Sequence, residues 1–189
     1  MHAAAVEEER AAELAGPLRD LLPPVDFCCA YGSTLLHARP DRTSMVDYIL
    51  GVADPLQWHS ENLERNPAHY SCWMWCLGSG AITGLADHVG VGVYFNPFVE
   101  WKDKRIKYGV VRMKDLAMDV LTWDRFYLSG RLQKPVWIWI SLFFGVLCWA
   151  TIPCFVANVQ SHYASFDCLQ LLMLWFSRCY VAVQYTCSA

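Results

Sequence analysis

The sequence predicts an α/β (α+β) fold, a mixed sheet with flanking helices, followed by an apolar helical tail. Three observations carry this. Short apolar runs bounded by Gly, Pro, Asn and Asp alternate with helical patterns, in the order strand, helix, strand, helices, strand, strand, helix. The run at residues 45–52 is apolar on both faces apart from Asp47, as a covered central strand is. Charge then stops abruptly: after Lys134 the only charged side chains are Asp167 and Arg178.

The 189 residues suit one domain, or one domain plus a tail. Hydrophobic residues make up 55% and charged residues 17%, more apolar than an ordinary soluble domain. The net charge of −3 lacks the basic surplus of a general nucleic-acid binder, so no nucleic-acid partner is expected. Three segments follow: an acidic N-terminal stretch (1–24), a chemistry-bearing domain (25–136) and an apolar tail (137–189). The nine cysteines are odd in number and follow no secretory signal, which argues against a disulfide framework. Cys72-x-x-x-Cys76 could suggest a metal pair. It lacks a second Cys or His pair at ligand spacing, so these cysteines are read as buried thiols.

Residues 7–15 read as a short solvated helix ended by Gly16-Pro17. Residues 25–30 form a strand that enters a tight turn at Gly32-Ser33. A helix beginning at Leu35 is interrupted by Pro40-Asp41. After the strand at 45–52, Asp54 and Pro55 supply an N-cap and a first helical residue for a helix to Arg65. Asn66-Pro67 breaks it, and a second helix spans 68–77. Gly78, Gly80 and Gly84 make the next stretch loop-like. Residues 89–96 form a strand, 102–105 a hairpin turn and 106–113 the return strand. Residues 114–123 form an amphipathic helix with Leu116, Val120 and Trp123 on one face, and 126–132 add a further turn.

A glycine-serine turn after a strand can cradle phosphates, because its backbone N–H groups are accessible. Alone it is a weak signal, since most such pairs mark ordinary turns. Asp47 is stronger, because an unpaired carboxylate in an apolar strand is costly. It must cap, pair with a base or hold a metal.

The motifs narrow this choice. Tyr31-Gly32-Ser33 followed by Asp47 resembles the glycine-serine and aspartate motifs of nucleotidyltransferases. The runs Asp54-Pro55-x-x-Trp58-His59-x-x-Asn62-Leu63, Asn66-Pro67-x-His69-Tyr70-Ser71, Gly92-Val93-Tyr94-Phe95-Asn96, Ile106-Lys107-Tyr108-Gly109-Val110 and Tyr127-Leu128-x-Gly130-Arg131-Leu132-Gln133-Lys134-Pro135-Val136 are similar to those of the mitochondrial phosphatidate cytidylyltransferases, the translocator assembly and maintenance family of CDP-diacylglycerol synthases. The resemblance implies a nucleotidyltransferase-like sheet and a definite reaction. A phosphate oxygen of phosphatidic acid attacks the α-phosphorus of CTP, giving CDP-diacylglycerol for cardiolipin synthesis. It also implies Mg2+ as cofactor, and a peripheral place on the matrix side of the mitochondrial inner membrane, with that membrane's lipids as partners. The acidic N-terminus is unlike a standard presequence.

The resemblance implies roles residue by residue. Asp47, Ser33 and Lys107 carry the catalysis. Gly32, Ser33, His59, Asn62, Arg131 and Lys134 bind substrate. Asp47 binds the metal, and because Ile49 stands where the superfamily has a second carboxylate, Asp54 and Asp119 are the candidates for a further ligand. Most have a plainer reading: a turn for Gly32-Ser33, an ion pair for Asp47, an N-cap for Asp54, a solvated helix residue for Asp119, a core histidine for His59, a solvated face for Arg131 and Lys134. Tyr94 and Phe95 read as core rather than as base-stacking groups.

The tail from residue 137 resembles nothing in the family. It is expected to come from an alternative or mis-spliced reading of the gene. A membrane anchor is the second reading, since a run of ~20 apolar residues can span a bilayer. The corresponding alternative function is an inactive truncated isoform, a membrane-associated non-catalytic protein.

Overall fold

The computed structural model describes residues 2–32, 35, 45–132, 136–142 and 146–152. Among the described residues six strands form one sheet: β1 (Phe27–Tyr31), β2 (Met45–Val52), β3 (Val93–Trp101), β4 (Lys104–Arg112), β5 (Val136–Leu142) and β6 (Val146–Ile152). Their order across the sheet is β3-β4-β2-β1-β5-β6. β2 and β4 are parallel, and the other neighbours are antiparallel, so the sheet is mixed. The helices are α1 (His2–Asp20), α2 (Pro55–Arg65), α3 (Cys72–His88), α4 (Met113–Thr122) and α5 (Tyr127–Arg131), with a short 3-10 turn at Pro67–His69.

Side chains alternate between the two faces of each strand, and both faces are covered. On one face Val46, Tyr48, Leu50, Ile106, Tyr108 and Val110 pack with Ala11, Leu14, Ala15 and Leu18 of α1 and Trp58 of α2. On the other, Phe27, Cys29, Ile49 and Val111 pack with Leu116 and Val120 of α4 and Leu128 of α5. Ile49 and Leu50, adjacent on β2, are both fully buried because each face has its own helical layer. The covered central strand expected from residues 45–52 is therefore present with those bounds.

Several expectations need correction. The first helix is neither short nor fully solvated. It continues through Pro17 to Asp20 because Ala11, Leu14, Ala15 and Leu18 recur at helical spacing and bury against the sheet. Gly16 is a close-approach residue rather than a stop: a Cβ there would lie 2.4 Å from the Trp101 ring. The glycines after residue 77 do not end α3 either. Gly78 takes φ +78°, which kinks the helix, and the chain then resumes helical geometry to His88. Of the cysteines, Cys28 and Cys29 are buried as expected, whereas Cys72 and Cys76 at the start of α3 are exposed.

The expected apolar helical tail is also corrected. Residues 136–142 and 146–152 form a hairpin of strands instead. Trp137, Ile138, Trp139 and Ile140 are aromatic and β-branched, types that favour extended chain. β5 pairs with the edge of β1 that β2 leaves open, with Phe27 opposite Ile140 and Ala30 opposite Trp137, so those backbone groups find partners. Among the described residues no helix is long and apolar enough to cross a membrane. The expected helix from Leu35 and the rest of the tail lie outside the described residues, apart from Leu35 itself, which is buried.

Candidate active site

β1 ends at Tyr31, and the chain turns at Gly32 with φ +110°, a conformation that side chains with a Cβ rarely adopt. The turn lies against a carboxylate: a Cβ on Gly32 would come within 3.4 Å of Asp47 Oδ2. Tyr31 stands opposite Asp47 in the β1–β2 register, and Asp47 stands opposite Lys107 in the β2–β4 register. Residues opposite one another on paired strands project from the same face. Tyr31, Asp47 and Lys107 therefore form a row across three strands, on the face that α4 and α5 cover only in part.

α5 adds the second cation. Tyr127 and Arg131 are one helical turn apart and share a face. Arg131 Nη2 donates to Tyr127 Oη at 2.9 Å and Nη1 to Tyr31 Oη at 3.3 Å. Its guanidinium carbon lies 4.6 Å from the Tyr127 ring centroid and 5.7 Å from those of Tyr31 and Phe95. Lys107 Nζ lies 4.7 Å from the Phe95 centroid. One half-buried carboxylate thus faces two cations over a floor of three aromatic rings.

The electrostatics follow from this geometry. Burial raises the Asp47 carboxyl above its ordinary value, and Lys107 and Arg131 oppose that rise by favouring the anion. Burial pushes the Tyr31 phenol up to about 12, with Arg131 pulling the other way. Tyr31 therefore stays neutral through the physiological range.

A magnesium ion takes one or two carboxylates and completes its shell with water and substrate phosphates. Asp47 fits as such a ligand, and the two neighbouring cations suit the phosphates that would share the ion. Among the described residues no group of three or more His, Cys, Asp or Glu side chains could hold a metal without substrate.

Of the residues expected at the site, Gly32, Asp47, Lys107 and Arg131 come together. Ser33 and Lys134 lie outside the described residues. The other four stand elsewhere. Asp54 caps α2, its Oδ1 accepting from Leu56 N at 2.9 Å and Gln57 N at 3.4 Å. It follows the opposite end of β2 from Asp47. Asp119 is 2% exposed and holds the start of α5, accepting from Arg125 N at 3.0 Å, Leu128 N at 2.6 Å and Ser129 N at 3.4 Å. Both of its oxygens are engaged by backbone N–H groups, so in this fold it serves as a buried cap.

His59 and Asn62 do share a helix face, but that face covers the opposite side of the sheet. Asn62 Nδ2 donates to Tyr70 Oη and to Tyr108 Oη, each at 2.8 Å, and His59 Nδ1 lies 2.8 Å from Tyr70 Oη. Tyr108 follows Lys107 directly on β4 and so points the other way. The two residues belong to a buried hydrogen-bond network rather than to the Asp47 site. Burial lowers the His59 imidazole to about 4, leaving it neutral. Tyr94 is half-buried and stacks on Tyr70 within the same layer, whereas Phe95 packs against the core of the other face, as expected, and also lies beneath the two cations. Sequence reasoning missed the contact of Phe95 with the two cations, along with the roles of Tyr31 and Tyr127. The four-residue spacing from Tyr127 to Arg131 was the available signal.

Comparison with known proteins bears on what this arrangement does. The family model described as "Phosphatidate cytidylyltransferase, mitochondrial" matches residues 14–141. A protein of that name from Saccharomyces cerevisiae is 39% identical over 135 residues, covering 69% of this chain and 34% of the relative. One from Schizosaccharomyces pombe is 38% identical over 133 residues, with the same two shares, 69% and 34%. The human protein of that name is 42% identical over 95 residues, covering 50% of this chain and 21% of its own length. The chain spans about a third of the length of the two yeast relatives.

Proposed function

The chain belongs to the mitochondrial phosphatidate cytidylyltransferase family, and we propose from that premise that the Asp47 face binds CTP with magnesium and transfers its cytidylyl group to phosphatidic acid. The observation that carries this reading is the placement of one half-buried carboxylate between Lys107 and Arg131, beside the left-handed turn at Gly32.

The reaction is a displacement at phosphorus. A phosphate oxygen of phosphatidic acid gives its electron pair to the α-phosphorus of CTP. The bond from that phosphorus to the bridging oxygen breaks, and pyrophosphate leaves with the pair. The second ionisation of a phosphate monoester lies at about 6, so the attacking oxygen is already anionic at neutral pH and needs no general base. The protein's task is then charge and position. Lys107 and Arg131 offset the negative charge of the phosphates and draw them to the sheet face. The Gly32 turn lets backbone N–H groups approach the triphosphate, and Ser33 and Lys134 are proposed to add a hydroxyl and an ammonium to the same phosphates. Asp47 is the proposed protein ligand of Mg2+, which when bound withdraws charge from the phosphate oxygens.

The same reading puts the chain at the matrix side of the mitochondrial inner membrane as a peripheral protein in contact with its lipids, the product serving cardiolipin synthesis. The relatives' names, which say mitochondrial, support the mitochondrial part of this reading.

The test is formation of CDP-diacylglycerol from CTP, Mg2+ and phosphatidate vesicles by this chain. The expected result is product, reduced on the order of 100-fold or more in Asp47→Ala, as for loss of a group that stabilises transition-state charge. No product from the unsubstituted chain would favour a non-catalytic, membrane-associated role. Equal product from Asp47→Ala would remove the metal assignment.

A further inference from the structure

Arg131 is held on two sides by tyrosine hydroxyls and against three aromatic rings. A guanidinium has five N–H donors in a planar fork. The two phenol contacts engage one donor from each Nη and leave the remaining fork for a phosphate. The acceptors matter as much as the distances. A carboxylate in their place would neutralise the cation and compete with an incoming anion. A neutral phenol fixes the direction of the fork and leaves its charge intact. Burial keeps the Tyr31 phenol neutral, pushed up to about 12.

We propose that Tyr127 and Tyr31 are positioning residues that set the Arg131 guanidinium in its anion-binding orientation before the triphosphate of CTP arrives. The proposal deepens the cytidylyltransferase reading and rests on it. A long side chain ordered only on binding weakens the complex by its lost rotamer freedom, and ordering it beforehand removes that penalty. The fold supplies the anchor for this order. Asp119 holds the first turn of α5, from which both Tyr127 and Arg131 project, and Tyr31 reaches in from the end of β1.

The experiment is calorimetric titration of CTP with Mg2+ into the full chain, its Tyr127→Phe, Tyr31→Phe and Arg131→Ala variants, and the doubles that combine each Phe substitution with Arg131→Ala. Phenylalanine keeps the ring on the guanidinium and removes only the hydroxyl. Tyr127→Phe is expected to raise the Kd roughly 10- to 100-fold, as for loss of a hydrogen bond to a charged group, with the melting temperature held. Tyr31→Phe, at the longer distance, should raise it less. In the Arg131→Ala background neither Phe substitution should change the Kd further, because its effect passes through Arg131. A purely structural role would weaken binding equally in both backgrounds and overturns the proposal, as does an unchanged Kd in both single Phe variants. Should Tyr127→Phe fail to fold, the Tyr31→Phe cycle decides by the same criterion. An unsubstituted chain that does not bind CTP overturns the cytidylyltransferase reading and this inference together. Binding by the unsubstituted chain with equal losses in both backgrounds overturns the inference alone.

Discussion

Asp47 faces Lys107 across the parallel β2–β4 pair, and one residue further on Tyr48 faces Tyr108. The first pair projects to the side on which Arg131 meets them, and the second projects to the side on which α1 and α2 pack. A shift of one residue in this register would exchange a charged site for a buried aromatic layer.

Asp47 is held ionisable at some cost to the fold. Its pKa is raised by burial above 3.8, against the pull of Lys107 and Arg131. A carboxyl raised in this way stabilises the folded state when protonated. That contribution is fully present below 3.8 and is lost as pH rises through the folded value. At neutral pH Asp47→Asn should therefore equal or exceed the parent in melting temperature, and the difference should close as pH falls to about 4. Thermal melts over this range check the sign, and a clear fall in melting temperature at neutral pH would contradict it.

His59 behaves in the opposite sense. Its pKa is lowered from 6.5 to about 4 by burial, and that of His69 moves the same way to about 4. Stability tied to these neutral imidazoles is present above 6.5 and is lost as pH falls from there toward 4. Denaturant unfolding across that window should show a steady decline. His59→Gln should flatten the decline while lowering stability at neutral pH by ~1–3 kcal/mol through disturbance of the Tyr70 contact. A parent with flat stability across the window would show that these histidines are not held neutral.

Asp119→Ala removes the acceptor for the Arg125, Leu128 and Ser129 amides at a buried position. Unpaired buried donors make this a severe change, about 2–4 kcal/mol by denaturant unfolding. Hydrogen exchange should quicken first at the Leu128 and Ser129 amides. A loss below ~0.5 kcal/mol, the range of an ordinary surface substitution, would mean that Asp119 does not anchor α5.

Gly109→Ala tests the aromatic floor. A Cβ there would lie 2.5 Å from Phe95 Cε1 and 2.9 Å from Val93 Cγ1. Relief moves the Phe95 ring, which lies beneath Lys107 and Arg131. We expect a loss of about 1–3 kcal/mol, typical of overpacking, together with weaker CTP binding. Unchanged stability and binding would show that the ring yields without consequence for the cations.

Where period and capping agreed, the sequence was a good guide. Asp47 in an apolar run marked β2, Asp54-Pro55 marked the start of α2, and the amphipathic spacing of Leu116 and Val120 marked α4. It was a poor guide where tertiary contact decides. Pro17 and Gly78 read as stops, but buried residues on α1 and continued helical geometry after the kink carry both helices past them. The apolar run after Val136 satisfied a length criterion for a membrane helix, yet its first stretch, residues 136–142, pairs as a strand with β1, a contact more than a hundred residues away in sequence. At the site, Asp47 and Lys107 were legible from their motifs. Their meeting with Arg131 was not, because it depends on the parallel register and on the placement of α5.

Titration of CTP into this chain with and without Mg2+, beside Asp47→Ala, decides whether the Asp47 face is the proposed magnesium-dependent CTP site. Saturable binding that requires Mg2+ and is lost in Asp47→Ala is the expected result. Binding indifferent to both the metal and the substitution, or no saturable binding by the unsubstituted chain, would contradict it.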